Sequence, residues 1–268
     1  LEEQRKVGIY LPPAYDPAKH YPLLIAFDGE VYGLDPQAQI PLPTILDNLI
    51  AAHKIPPIVA ALVASQGTRM RDLSYSEPFS NFIADELIPK LRRDVHAGLT
   101  AGDVTLTGSS LGGLASSFIA FHHPDVVGNV LSQSGSYQWI TGAWEHDLPR
   151  TTEGNQLARE IAGASKKSIR FYLEAGMFEG PLLDSNRHLR DVLHCGDRLR
   201  TQCHQNPARG QHGVRILVVL GTAARRRAFI RHPRSLHTSI ATRNCCETQL
   251  LRVDRNGDAN EGDPRLRT

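Results

Sequence analysis

Four cysteines are all that this chain of 268 residues holds, and none precedes Cys195. A disulfide-stapled miniprotein is therefore excluded. No stretch reaches the roughly 18 consecutive apolar residues of a membrane-crossing helix. Aromatic residues are sparse at 6%, yet 41% of the chain is hydrophobic, enough for one sizeable core and too much for a disordered chain. Lysine is scarce as well: the last of six is Lys167.

The net charge of +2 hides two different compositions. Residues 1–193 carry 16 Lys and Arg against 22 Asp and Glu, whereas residues 194–268 carry 14 Arg against 6 acids. The first part reads as a domain and the second as an atypical basic tail, partly disordered over its last ~20 residues. An Arg-rich, Lys-free, Cys-bearing stretch is what a GC-rich gene gives out of frame, so a frameshift near residue 194 is one expectation for the tail. The initial Leu1, in place of Met, suggests a fragment or a processed product. The tail's Cys195, Cys203, Cys245 and Cys246, with His204 and His212, match no zinc-site spacing, and two adjacent cysteines are poor tetrahedral ligands. No metal and no cofactor are expected. Arg225 to Arg227 form a charge run without interleaved aromatics beyond Phe229, so nucleic acid is not an expected partner.

Residues 1–193 alternate strand-like and helix-like segments, the pattern of an α/β fold with a mostly parallel sheet. Strands are expected at Arg5–Leu11, Tyr21–Phe27, Ile58–Ala64, Asp103–Thr107, Val126–Leu131 and Ile169–Leu173. Helices are expected at Thr44–His53, from a cap at Ser80 through Leu91 with a kink at Pro89, from the glycine-rich GSSLGG to His122, and over Asp184–Leu193. Ile216–Leu220 reads as one further strand.

The sharpest motif is Gly108-Ser109-Ser110-Leu111-Gly112, set between VTLT and a helix. It fits G-x-S-x-G, the nucleophile elbow, in which a serine sits on a tight strand-to-helix turn and small neighbours let strand and helix approach. Ser110 is the expected nucleophile, the alternative being a glycine-rich turn that merely caps a helix. The helix N-terminus favours an oxyanion, and the N–H of Leu111 is the first expected donor. Asp28-Gly29-Glu30 follows the buried strand YPLLIAF at the sheet edge where α/β sites collect. The Glu30 N–H is the expected second donor; an ordinary Asp-Gly turn is the plainer reading.

With these motifs in place, the chain resembles the esterase family of the α/β-hydrolase fold that includes the enterochelin esterases. The matching stretches are RKVGIYLPPAYDP, YPLLIAFDGE, RMRDLSYSEPFSNFIADELIPKLR, VTLTGSSLGGLASSFIAFHHPDVVGNVLSQSGSYQW and FYLEAGMFEG. The resemblance implies an α/β-hydrolase fold with helices on both faces of the sheet. It also implies a serine esterase that cleaves a catecholate siderophore to release iron, or a similar ester. An acyltransferase of the same fold is the runner-up, and a silent fold that only binds ligands is a third reading.

By the same resemblance the triad acid follows IRFYLEAG, where Glu179 matches and Asp184 is the fallback. Arg69 and Arg71 flank a loop that faces the cleft in relatives, where a guanidinium fork can bind a carboxylate or catecholate oxygen. Trp139 is expected either in an aromatic-binding pocket or in the core. The resemblance breaks after residue 193, because the family's histidine-bearing ending is missing. His212, 33 residues after Glu179, is the expected base; His194, His204, His232 and His237 are weaker, and His122 and His123 close the elbow helix. The expected compartment is the cytoplasm, with a periplasmic relative type also known, and the oligomeric state is left open.

Overall fold

The structure is a computed structural model that describes residues 4–140, 155–195, 219–221 and 249–253. Among the described residues eight strands form one sheet: β1 (Arg5–Tyr10), β2 (Leu23–Phe27), β3 (Val59–Val63), β4 (Val104–Ser109), β5 (Asn129–Gln133), β6 (Arg170–Gly176), β7 (Val219–Gly221) and β8 (Gln249–Val253). Their order across the sheet is β7-β6-β5-β4-β2-β3-β1-β8. Only β1 opposes its neighbours, pairing antiparallel with β3 and with β8, while the other pairs are parallel.

All residues of LLIAF in β2 and VAALV in β3 are buried, as strands covered on both faces must be. The period of two divides them between two cores. Leu23, Ile25, Phe27, Val59, Ala61 and Val63 face the larger one, and Leu24, Ala26, Ala60 and Leu62 the smaller. Helix α1 (Leu42–Ala51) covers the smaller face with Leu42 and Leu46. The larger face takes α2 (Arg69–Leu73), α3 (Glu77–Asn81), α4 (Ile88–Val95), α5 (Leu111–His122), α6 (Gln156–Gly163) and α7 (Pro181–Cys195). Burying side chains such as Leu23, Ile25 and Leu106 contributes roughly 1.5–3 kcal/mol each.

Two local expectations shift. The third helix starts at Ser76, whose hydroxyl accepts the Phe79 N–H at 3.3 Å, and Ser80 is buried inside it. Between α3 and α4 the helix widens to i→i+5 bonding over Phe82–Leu87, so Pro89 opens a fresh turn and its missing N–H breaks no bond. The strand expected at 126–131 begins at Asn129 instead. A turn over residues 124–126 precedes it, and the Gly128 N–H reaches the Ala101 carbonyl at 2.7 Å.

Parallel strands place their C-terminal ends on one edge. Along it, the residues Asp28, Gln66, Ser110 and Ser134, which follow β2, β3, β4 and β5, all have positive φ. Non-glycine residues rarely adopt this conformation, and its cost of roughly 1–3 kcal/mol is tolerated where surrounding bonds hold it.

Candidate active site

Ser110 joins β4 to α5 with φ 57° and ψ −117°. Four backbone bonds fix it: its N–H reaches the Gln133 carbonyl at 3.0 Å, and its carbonyl accepts the N–H groups of Ser136, Gly113 and Leu114 at 2.9, 3.1 and 3.2 Å. The turn needs glycine, but not in the symmetric way the motif suggests. A Cβ on Gly108 would lie 2.7 Å from the Gly112 backbone, and one on Gly113 would lie 2.5 Å from Ser132 Oγ. A Cβ on Gly112 meets nothing closer than 3.6 Å. Strand and helix therefore touch through Gly108, and the helix meets β5 through Gly113.

The half-buried Ser110 hydroxyl meets the hydroxyl of Ser136 at 2.9 Å. Leu111 begins α5, so its N–H has no partner within the helix and lies at the positive end of the helix dipole.

The loop after β2 stands beside this turn: the space above Gly112 is bounded by Phe27 and the Asp28 carboxylate. Asp28 is held at φ 57° by a bidentate pair with Arg69, Nε to Oδ1 at 2.8 Å and Nη2 to Oδ2 at 2.9 Å, and by the Ser65 hydroxyl at 2.7 Å. The Gly29 N–H is committed to the Val63 carbonyl at 2.9 Å. The Glu30 carboxylate is turned toward the end of β3, where it accepts the N–H groups of Ser65 and Gln66 at 3.0 and 3.2 Å. Tyr32 ties this loop to β5 by donating to Gln133 Oε1 at 2.7 Å. Burial, with the nearby Asp28 and Glu174 charges, pushes its phenol up to about 12.

Glu179 lies in the turn between β6 and α7, on the same edge. Its carboxylate accepts the Gly176 N–H at 2.7 Å and the Ser134 hydroxyl at 2.9 Å. Asp184 instead sits in the first turn of α7, mostly exposed and 3.5 Å from Arg187. One loop thus carries both hydroxyls of interest: Ser134 touches Glu179 and Ser136 touches Ser110. Beneath it, the fully buried Tyr137 hydroxyl bonds to Ser117 and Ser132 at 2.7 Å each, and burial pushes its pKa up to about 12. Nothing local in SQSGSYQ marks these hydroxyls, because their partners lie on or beside neighbouring strands and helices.

The two arginines divide. Arg69 is engaged with Asp28, so it braces the Glu30 loop. Arg71 donates to Asp72 at 2.9 Å and lines a cavity of about 580 Å³ with Tyr75, Phe118, His122 and Glu160; Ser110 is not part of its lining. Trp139 is buried in the larger core, and its carbonyl accepts the Tyr75 hydroxyl at 3.3 Å. His122 pairs with Glu160 at 3.4 Å. Among the described residues no histidine hydrogen-bonds Ser110 or Glu179, and no cluster could hold a metal ion. His212 lies outside the described residues. Strand β7 runs parallel to β6, so the chain leaves it at Gly221 on the Ser110 edge; the first histidine after that exit is His232.

Comparison with known proteins places this edge in context. Residues 1–224 match a family model described as "Putative esterase". An iron(III) enterobactin esterase of Dickeya dadantii is 29% identical over 218 residues, covering 79% of this chain and 48% of the relative. Its Escherichia coli K12 counterpart is 29% identical over 197 residues, covering 72% and 46%. The chain thus spans about half the length of the curated relatives it matches. The crystal structure of a Shigella flexneri enterobactin esterase in the presence of enterobactin aligns with TM-score 0.61 at 28% identity, over 71% of this chain and 46% of that one. A ferulic acid esterase shares the fold at TM-score 0.59 and 15% identity, over 81% and 84%. A mostly parallel sheet, a serine at a strained strand-to-helix turn and a family match over residues 1–224 agree: this chain belongs to the esterase family of the α/β-hydrolase fold.

Proposed function

We propose that this protein is a serine carboxylic-ester hydrolase that cleaves catecholate siderophore esters of the enterobactin type. Residues 1–193 form the catalytic domain, and residues 194–268 form its atypical ending. The observation that carries the reading is the backbone of Ser110, at φ 57° and ψ −117° between β4 and α5. That conformation lifts a hydroxyl above the C-terminal edge of the sheet and sets a helix N-terminus beside it.

In this reading the Ser110 oxygen attacks the ester carbonyl carbon while its proton passes to a histidine base. The oxyanion that forms is met by the N–H groups of Leu111 and Glu30. The carbonyl re-forms, the C–O bond to the alcohol breaks, and the base returns its proton to the departing oxygen. Water then repeats the sequence on the acyl-enzyme. Glu179 is the acid that orients the histidine and stabilises its imidazolium. Its carboxylate stands at the end of β6, on the same edge as Ser110 and anchored on two sides; Asp184, in the first turn of α7, is paired with Arg187.

Arg69 and Arg71, so far as their pairs with Asp28 and Asp72 allow, are the cations offered to substrate oxygens. Trp139 borders the site from the core. The substrate class follows from the relatives, whose names specify iron(III) enterobactin. The ferric siderophore is thus the proposed substrate. The expected compartment is the cytoplasm, where a siderophore is opened after uptake. Among the described residues no helix is long and apolar enough to cross a membrane.

The base is proposed as His212, and the direction of β7 makes His232 its rival. A fluorophosphonate probe tests the whole assignment. It should label Ser110, fail with Ser110→Ala, and slow by about 10⁴-fold in the variant that removes the true base. Labelling of folded protein at another residue, or none at all, refutes the enzyme. Product analysis with an alcohol acceptor separates hydrolysis from acyl transfer.

A further inference from the structure

We infer that Ser136 is a further catalytic residue. Its hydroxyl donates to the Ser110 oxygen and stabilises that oxygen as it leaves the acyl-enzyme. The inference rests on the serine-hydrolase reading above and adds a group to it.

The two Oγ atoms lie 2.9 Å apart, and Ser136 is only 4% exposed. Its position is fixed on every side. The Ser136 N–H donates to the Ser110 carbonyl at 2.9 Å and its own carbonyl accepts the Trp139 N–H at 3.0 Å. The preceding Gly135 carbonyl accepts Asn186 Nδ2 at 2.7 Å. A Cβ on Gly135 would come within 2.5 Å of the Tyr137 ring, so the backbone packs closely on that ring. A hydroxyl held this firmly is preorganised, the condition under which a hydrogen bond contributes to catalysis.

In the resting protein either serine can donate. The choice disappears once the Ser110 proton is directed to a base, because the Ser110 oxygen then only accepts and Ser136 must donate. The proton balance leaves Ser136 intact. In acylation the Ser110 proton goes to the base and on to the departing alcohol. In deacylation the base takes a proton from water, the bond from carbon to Ser110 breaks, and that proton returns to Ser110. The Ser136 O–H is never transferred; it opposes negative charge on the Ser110 oxygen. In the free protein this bond already exists, so attack gains little from it; in the acyl-enzyme the ester oxygen is a poor acceptor, and the bond strengthens only as that oxygen leaves. Loss of Ser136 therefore slows deacylation more than acylation.

The test uses the full chain and p-nitrophenyl butyrate. Ser136→Ala should lower kcat about 10- to 100-fold and lower KM with it, leaving kcat/KM much less changed. It should release about one equivalent of nitrophenol in a burst, with the butyryl adduct on Ser110 visible by mass spectrometry. A merely structural role would raise KM or slow labelling without accumulating the adduct. Ser136→Thr should restore kcat and Ser136→Cys should fall between. If Ser136→Ala does not fold, the Thr and Cys variants decide, and full kcat in the Cys variant overturns the inference. Unchanged kcat in Ser136→Ala, or a loss without adduct, overturns it too. Turnover surviving in Ser110→Ala, or absent from the unmodified chain, removes the hydrolase reading and this inference with it. A dead Ser110→Ala beside an unaffected Ser136→Ala removes only the latter.

Discussion

Gly108→Ala and Gly112→Ala change the two glycines of one motif and should behave oppositely. At Gly108 the new methyl would sit 2.7 Å from both the Cα and the carbonyl carbon of Gly112. Both are backbone atoms at the start of α5, so no side-chain rotation relieves the contact. Strand β4 and α5 would have to separate by several tenths of an ångström, against the bonds that Ser110 makes to Gln133 and Ser136. Overpacking of this kind costs about 1–3 kcal/mol, and the backbone origin of the clash puts Gly108→Ala at the upper end. For a chain of this size that lowers the melting temperature by roughly 5–10 °C.

At Gly112 the methyl finds Phe27 Cβ and Asp28 Oδ2 at 3.6 Å, an ordinary contact, and alanine is the better helix former by roughly 1 kcal/mol. That variant should be neutral or slightly stabilising. Urea unfolding gives the stability difference, and the rate of fluorophosphonate labelling reports the Ser110 geometry. A wild-type midpoint and labelling rate in Gly108→Ala would refute the close approach of strand and helix. A marked loss in Gly112→Ala would refute the asymmetry.

Three further outcomes are expected. Arg69→Met removes a bidentate partner from a carboxylate that is itself buried, at a site between the fully buried and the exposed limits, so it should cost about 2 kcal/mol in urea unfolding. It should also lower kcat, as the Glu30 loop loses its brace. Tyr137→Phe leaves Ser117 and Ser132 without their shared partner and should cost about 1–2 kcal/mol by thermal melting, with the fold kept by circular dichroism. The Tyr32 and Tyr137 phenols are each raised to about 12, and burial raises Tyr75 as well. Their folded pKa values exceed the unfolded value near 10, so the stability they confer is complete below pH 10 and is lost as pH climbs toward 12. Phenolate absorbance and unfolding should then rise together above pH 10; free titration of these tyrosines in folded protein would contradict their burial.

Much of this was legible in the sequence, for identifiable reasons. YPLLIAF and IVAALVA are short apolar runs between Pro and Gly punctuation, and both became strands buried on two faces. The elbow was legible because its serine must stand between a strand and a helix, and Ser110 does. What stayed hidden depended on contacts between residues far apart in the chain. The cap at Ser76 rather than Ser80 was decided by which serine the packed helix leaves outside; Ser80 has the right chemistry and the wrong burial. The strand expected at Val126 starts at Asn129 because pairing with β4 sets Gly108 opposite Ser132. Nothing local in VVGN carries that register. The sequence offers Arg69 to a substrate oxygen, whereas its guanidinium is paired with Asp28, 41 residues earlier in the chain. The two tail strands β7 and β8 occupy opposite edges of the sheet, and of these only β7 had a local apolar signal.

The precision of the site follows from how its strained residues are anchored. Asp28, Ser110 and Ser134 each follow a different strand, with φ of 57°, 57° and 47°, and each is held by the strand next to its own or the segment after it. Asp28 is gripped by Ser65 and Arg69 after β3, the Ser110 N–H by Gln133 of β5, and the Ser134 N–H by Glu174 of β6. Lateral order in the sheet, not order in the chain, therefore decides which groups can cooperate. Because β5 lies between β4 and β6, its exit loop is, among the described residues, the segment that touches both the nucleophile and the carboxylate, through Ser136 and Ser134. A change in the pairing of β4, β5 and β6 would move Ser110 and Glu179 relative to each other even if every side chain named here were kept. For this reason a strand end that contributes no member of the triad still belongs to the machinery of the site.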